Sequence, residues 1–66
     1  MNVGLPGLRR ERERRLLEQS ELAEKTGNLV SVGTISRIEN GRAARMETAR
    51  RLARALNVPV EDLTRP

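Results

Sequence analysis

The sequence predicts an all-α domain of five short helices, and three observations carry that prediction. Gln19, Leu22, Ala23 and Thr26 recur at i, i+3, i+4 and i+7, which is one face of a helix. Ala49, Leu52, Ala53 and Leu56 repeat the same spacing further on. Between the two lie paired stop and start signals. Gly27 and Gly41 stand where a helix closes on a left-handed residue, and Ser31 stands where one opens with a side-chain acceptor.

In chain order, residues 1–7 contain Gly4, Pro6 and Gly7 and predict a flexible N-terminal arm; residues 8–66 form the domain. The first helix is expected from about Leu8 to Leu17, with Leu8, Arg12 and Leu16 inward and Leu17 turning toward the next element. Arg12 is anomalous on such a stripe. It either finds a carboxylate, because an unpaired interior charge is costly, or carries its charged end out to water. Glu11, Glu13, Arg14 and Arg15 read as a solvated face of close-spaced charge pairs.

The second helix begins after Glu18, a weaker cap than Ser that still complements the helix dipole. The third is capped by Ser31, buries Ile35 and Ile38, and ends at Asn40-Gly41. Arg37 follows Thr34 by three positions and Gly33 by four, so the three share the outward face. The fourth helix spans about Met46–Leu56, with Glu47 near its start and Arg54 near its end matching the dipole, and Asn57 in the left-handed closing position. Pro59 suits the first position of a last turn through Leu63.

Charge is unevenly placed. The 66 residues carry 13 basic and nine acidic side chains, a net +4. Residues 1–15 hold five Arg against two Glu, and residues 42–54 hold five Arg against one Glu, whereas residues 16–41 are net acidic. Two basic segments therefore flank the central helix pair. They are either solvated faces or contacts to phosphates on both sides of a nucleic-acid groove. There are no aromatic residues, so single-stranded nucleic acid would find no stacking platform, and duplex DNA is the better target.

Other classes are disfavoured. With no Cys and no His, the chain offers neither thiol chemistry nor the ligands of a structural zinc site, and neither metal nor cofactor is expected. A domain this small buries only about 60% of its unfolded surface and has little room for a catalytic pocket. An enzyme is not expected. No segment approaches the ~20 apolar residues of a membrane span, and Met1–Gly7 lacks a signal peptide's apolar run, so a cytoplasmic protein is expected.

Leu17, Gln19, Glu21-Leu22-Ala23, Gly27 and above all Thr34-Ile35-Ser36-Arg37-Ile38-Glu39-Asn40-Gly41 resemble the phage repressor and Cro type (XRE family) of helix-turn-helix regulators. The resemblance covers about Leu8–Leu63. It departs from the family at Asn28-Leu29, which look like a two-residue insertion in the turn, and in a loop after Gly41 that is one residue short.

The resemblance implies a compact five-helix lambda-repressor-like fold whose helices 2 and 3 form the helix-turn-helix. It places the first turn of helix three in the major groove, so that Val32, Gly33, Thr34 and Arg37 are the candidate base-reading residues. Arg37 reads guanine there, or else contacts phosphate or an acid such as Glu39. Gln19, Ser31, Ser36, Asn40, Arg42 and Arg45 are the candidate phosphate contacts. An ion pair between Arg12 and Glu39 is implied as well. Val58, Val60 and Leu63 either cap the core or meet a second copy.

The function implied is sequence-specific binding of double-stranded DNA by a transcriptional repressor, acting as a homodimer that occludes a palindromic operator. The alternative is an antitoxin or adaptor module whose main partner is a protein, such as a toxin.

Overall fold

Four of the five helices end where the backbone turns left-handed. The computed structural model describes residues 1–66. It contains helices α1 (Leu8–Arg14), α2 (Gln19–Lys25), α3 (Val32–Glu39), α4 (Met46–Leu56) and α5 (Val60–Thr64), with short strands β1 (Asn2–Val3) and β2 (Ala44–Arg45). The left-handed residues at these ends are Leu16, Gly27, Gly41 and Asn57, at φ 57°, 71°, 105° and 59°, and Asn28 after Gly27 is left-handed too, at 63°. After α2, the Gly27 and Asn28 amides return to the Glu24 and Ala23 carbonyls at 2.9 and 3.1 Å. After α3, the Gly41 and Arg42 amides return to Ile38 and Arg37 at 3.0 and 2.9 Å. Both closings satisfy carbonyls that the helix would otherwise leave without partners.

The helix after residue 8 is shorter than its periodicity suggested. It stops at Arg14, and Leu16, expected inward, is 90% exposed. The reason is the closing itself: Leu16 and Leu17 donate their amides back to Glu13 and Arg12, which forces Leu16 left-handed and swings its side chain into water. Leu17 turns inward against the core. A left-handed Leu costs about 1–2 kcal/mol, and a Gly there would return some of that as chain entropy. Leu16→Gly is therefore expected to stabilise the domain by about 0.5–1 kcal/mol, read as a higher urea midpoint with unchanged slope. An unchanged or lower midpoint would contradict the assignment of strain to this residue.

The turn between α2 and α3 is anchored at Thr26. The Thr26 hydroxyl donates to the Ala23 carbonyl at 2.6 Å and accepts the Val30 amide at 3.1 Å. Val30 is thereby held in the core at 3% exposure, while Leu29 is left 66% exposed. Pro59 takes the position just before α5, with Val60 as the first helical residue.

Residues 1–7 are not a free arm, and the chain is not wholly helical. β1 pairs antiparallel with β2, Asn2 opposite Arg45 and Val3 opposite Ala44. Leu5 is buried, and the Gly7 amide donates to the Leu63 carbonyl at 2.8 Å. Val3 and Leu5 alternate as a strand's residues do, but Gly4, Pro6 and Gly7 masked so short a signal.

Packing joins α2 to α3 and α4, α1 to α3 and α5, and α4 to α5, within 25 × 21 × 20 Å. Leu8, Leu22, Ile35, Leu52, Leu56 and Leu63 are fully buried in one core. At about 1.5–3 kcal/mol for each large aliphatic side chain, this core is the main favourable contribution to folding. Leu63 belongs to it. Offering Leu63 to a second copy would require unpacking α5, so a role in a dimer contact is corrected here.

Candidate nucleic-acid interface

The first turn of α3 is built to stand clear of the protein. Ser31 adopts the extended backbone of a cap, and its Oγ accepts the Thr34 amide at 3.1 Å. The Ser31 hydroxyl also donates to Thr34 Oγ1 at 3.0 Å, which ties the two candidate side chains together. Ile35 and Ile38 are buried beneath, so the helix is fixed by its inner face while Val32, Gly33 and Arg37 face outward. Val32 is 41% exposed. The Arg37 guanidinium lies back over Gly33, its Nη2 3.6 Å from where a Cβ on residue 33 would sit. A Cβ at 33 would make only ordinary contact there, so an alanine would also fit beneath the guanidinium.

Beside α3 the chain after Gly41 runs into β2, and the two enclose a cleft of about 450 Å³. Thr34, Arg37, Arg42, Arg45 and Thr48 line it. Arg37, Asn40 and Arg42 border a second, shallower depression next to it. Three of the candidate cations are therefore brought to one side of α3. None of the three makes an ion pair. Ser36 precedes Asn40 by one turn on the same side of the helix and lines neither depression.

At the far end of α3 lies a buried carboxylate. The Glu39 side chain is fully buried. Arg12 donates to it from Nε at 2.7 Å and from Nη2 at 2.9 Å, the two-point geometry for which a guanidinium is suited. The remaining Arg12 Nη1 donates to the Leu17 carbonyl at 2.7 Å. Gln19 Nε2 donates to Glu39 Oε1 at 3.0 Å and Arg9 Nε to the same oxygen at 3.2 Å.

Burial alone would raise the Glu39 pKa, but hydrogen bonds from Arg12, Gln19 and Arg9 outweigh it and hold the carboxyl below its ordinary value. This hub joins α1, the start of α2 and the end of α3, and so fixes the attitude of α3. Gln19 is half-buried, and its amide is turned to Glu39 instead of standing free for phosphate. Arg9 was missed by sequence reasoning, although its position three residues before Arg12 puts both on one face of α1.

The N-terminal basic segment is largely consumed inside the protein. Glu11, expected on a solvated face, is 4% exposed. It accepts from Arg15 at 2.9 Å and from Arg10 at 3.3 Å, with Arg14 at 3.5 Å. The Arg15 hydrogen bond, partly opposed by burial, holds the Glu11 carboxyl below its usual range. Arg10 further donates to the Asp62 and Pro66 carbonyls at 2.9 and 3.0 Å, clasping the end of α5 to α1. Of the two basic segments, then, only the second leaves arginines without acidic partners.

No helix is long and apolar enough to cross a membrane. A helix-turn-helix family model matches residues 8–63, all five helices through Leu63. No curated protein and no solved structure matches the chain. The matched family is one of DNA-binding transcription regulators. An exposed, capped first turn on α3, a supporting α2, and arginines on one side of α3 agree with that assignment. The chain belongs to the Cro/C1-type (XRE) family of helix-turn-helix proteins.

Proposed function

We propose that the protein is a sequence-specific repressor that inserts the first turn of α3 into the major groove of its operator and blocks polymerase by occupying the site. The observation that carries this reading is the grouping of Arg37, Arg42 and Arg45, all without acidic partners, along one cleft beside α3 that reaches its first turn at Thr34. Val32, Thr34 and Arg37 meet base edges, Gly33 lets the backbone approach, and Arg42 and Arg45 hold phosphates, with Ser31, Ser36 and Asn40 beside them; the Gln19 side chain is spent on Glu39. The work is done in the cytoplasm, with the operator as the ligand and no cofactor.

Two copies bind an inverted repeat whose half-sites lie about 10 bp apart, or a multiple of that. With Leu63 in the core, Val58 and Val60 are the half-buried apolar residues left for a symmetric contact. Two side chains offer little area for a stable contact between free copies, so we infer that the copies meet on DNA.

Selection from a randomised duplex library at about 150 mM salt, with sequencing of the bound fraction, tests the reading. Enrichment of an inverted repeat is expected, with sedimentation of the free protein as a monomer. Binding that enriches no sequence and disappears as salt rises would leave only electrostatic affinity and defeat the proposal.

A further inference from the structure

Arg50 and Arg54 stand one turn apart on α4, both exposed, and neither has an acidic partner. The nearby Glu47 is engaged by Arg51 at 3.3 Å instead. At the helical repeat of 3.6 residues per turn, Arg50 lies roughly 160° around α4 from Thr48, the residue through which α4 lines the α3 cleft. The buried stripe of Ala49, Leu52, Ala53 and Leu56 separates the two flanks. These two arginines are therefore turned away from the candidate DNA face.

On their own flank they overhang an open groove of about 560 Å³, completed by Ala53, Asn57, Val58, Pro59 and Val60. Arg54 also borders a smaller hollow with Lys25 and Leu29, the turn residue left 66% exposed. Cations without partners thus alternate with uncovered apolar side chains along one surface.

We propose that this surface docks an acidic, amphipathic segment of a partner protein. Its carboxylates meet Arg50 and Arg54, and its apolar side chains cover Val58, Pro59 and Val60. A DNA backbone has the charge for the arginines but nothing apolar to lay on the groove floor. A second copy related by a two-fold axis through the groove would bring the arginines of both copies together, which like charge opposes. An acidic protein segment satisfies both features. The proposal uses no residue of α3, but it does claim Val58 and Val60, so a docked partner segment and the symmetric contact between copies exclude one another.

The test is an amide-shift titration of the isotope-labelled protein with a peptide of about a dozen alternating Glu and Leu residues, beside its Gln/Leu counterpart. Shifts confined to the second half of α4 and residues 57–60 are expected with the acidic peptide alone. The Arg50→Glu/Arg54→Glu variant should bind it at least about tenfold more weakly. The same variant should keep the slope of duplex-DNA affinity against salt. Arg50→Gln/Arg54→Gln serves as a neutral second variant, expected to fall between.

Any of four results overturns the proposal. One is no binding, or equal binding of the Gln/Leu peptide. A second is shifts spread equally to Arg37, Arg42 and Arg45. A third is shifts at this groove that grow with protein concentration alone, which would identify a second copy. The last is shifts at this groove on adding duplex DNA, which would identify a phosphate-binding face.

Discussion

Arg12→Ala is expected to cost about 3–5 kcal/mol of folding stability. The Glu39 carboxylate is fully buried and Arg12 only about a tenth exposed, so the substitution strips a buried charge of its two shortest donors, at 2.7 and 2.9 Å. Arg9 and Gln19 still donate to Oε1, which places the loss toward the lower end of that range. A domain of this size has on the order of 3–10 kcal/mol in total. Arg12→Ala should therefore lose about a third or more of that stability, seen as a much lower urea midpoint with unchanged slope. Replacing both partners by apolar residues, Arg12→Met with Glu39→Leu, should recover much of the loss, because no charge is then left buried. A cost below about 1 kcal/mol for Arg12→Ala would mark the pair as a solvent-screened surface contact.

The same carboxylate gives stability a pH dependence of definite sign. Glu39 and Glu11 are both held below the ordinary carboxyl value in the folded protein. As pH falls, the unfolded chain takes up their protons first. Their stabilising contribution is complete above the ordinary carboxyl pKa and is lost as pH drops through the lower, folded values. Acid unfolding should accordingly begin below about pH 4.5, the ordinary carboxyl pKa here.

What could be read in advance divides along physical lines. Helix ends set by one residue's chemistry were legible: Gly27, Ser31 and Asn57 each do in the structure what their backbone or side-chain preferences predict. Elements too short to show a period were not. Two-residue strands leave no alternation to detect, so the pairing of Asn2-Val3 with Ala44-Arg45 was invisible. Leu16 was misread because a period was extended through a residue at which the helix had already closed.

Charges were misread where folding, not spacing, decides burial. Glu11 meets Arg14 and Arg15 at the i+3 and i+4 spacing that the sequence offers, but nothing local marks it as covered while Glu13 and Arg14 stay exposed. The contact between Arg12 and Glu39, 27 residues apart, could be reached only through the family resemblance, since no local spacing joins such positions. The exposed ends of the site, Val32, Gly33 and Arg37, carry little local signal of what they touch. Their partners lie outside the chain.

Arg37→Ala and Arg42→Ala are expected to weaken DNA binding in different ways, and the contrast decides how the interface is divided. Arg37 lies over Gly33 at the exposed start of α3, where a guanidinium can donate two bonds to guanine O6 and N7. Its loss should erase about 1–3 kcal/mol of discrimination at one base pair of the operator and leave preference at the other positions intact. Arg42 sits past the end of α3, beside Asn40 and Gly41, where the chain turns along the cleft. Its loss should weaken every sequence alike and reduce the slope of log affinity against log salt by about 1.

Titrations of each variant on the selected operator and its single-base changes, at several salt concentrations, read both quantities at once. Uniform weakening with a shallower slope for Arg37→Ala would move that residue to the phosphates. The base reading would then rest on Val32 and Thr34. A Val can pack on a thymine methyl but cannot donate, and Thr34 Oγ1 already accepts from Ser31. An α3 restricted to those two contacts could rank operators only weakly, so the proposed sequence specificity stands or falls with Arg37.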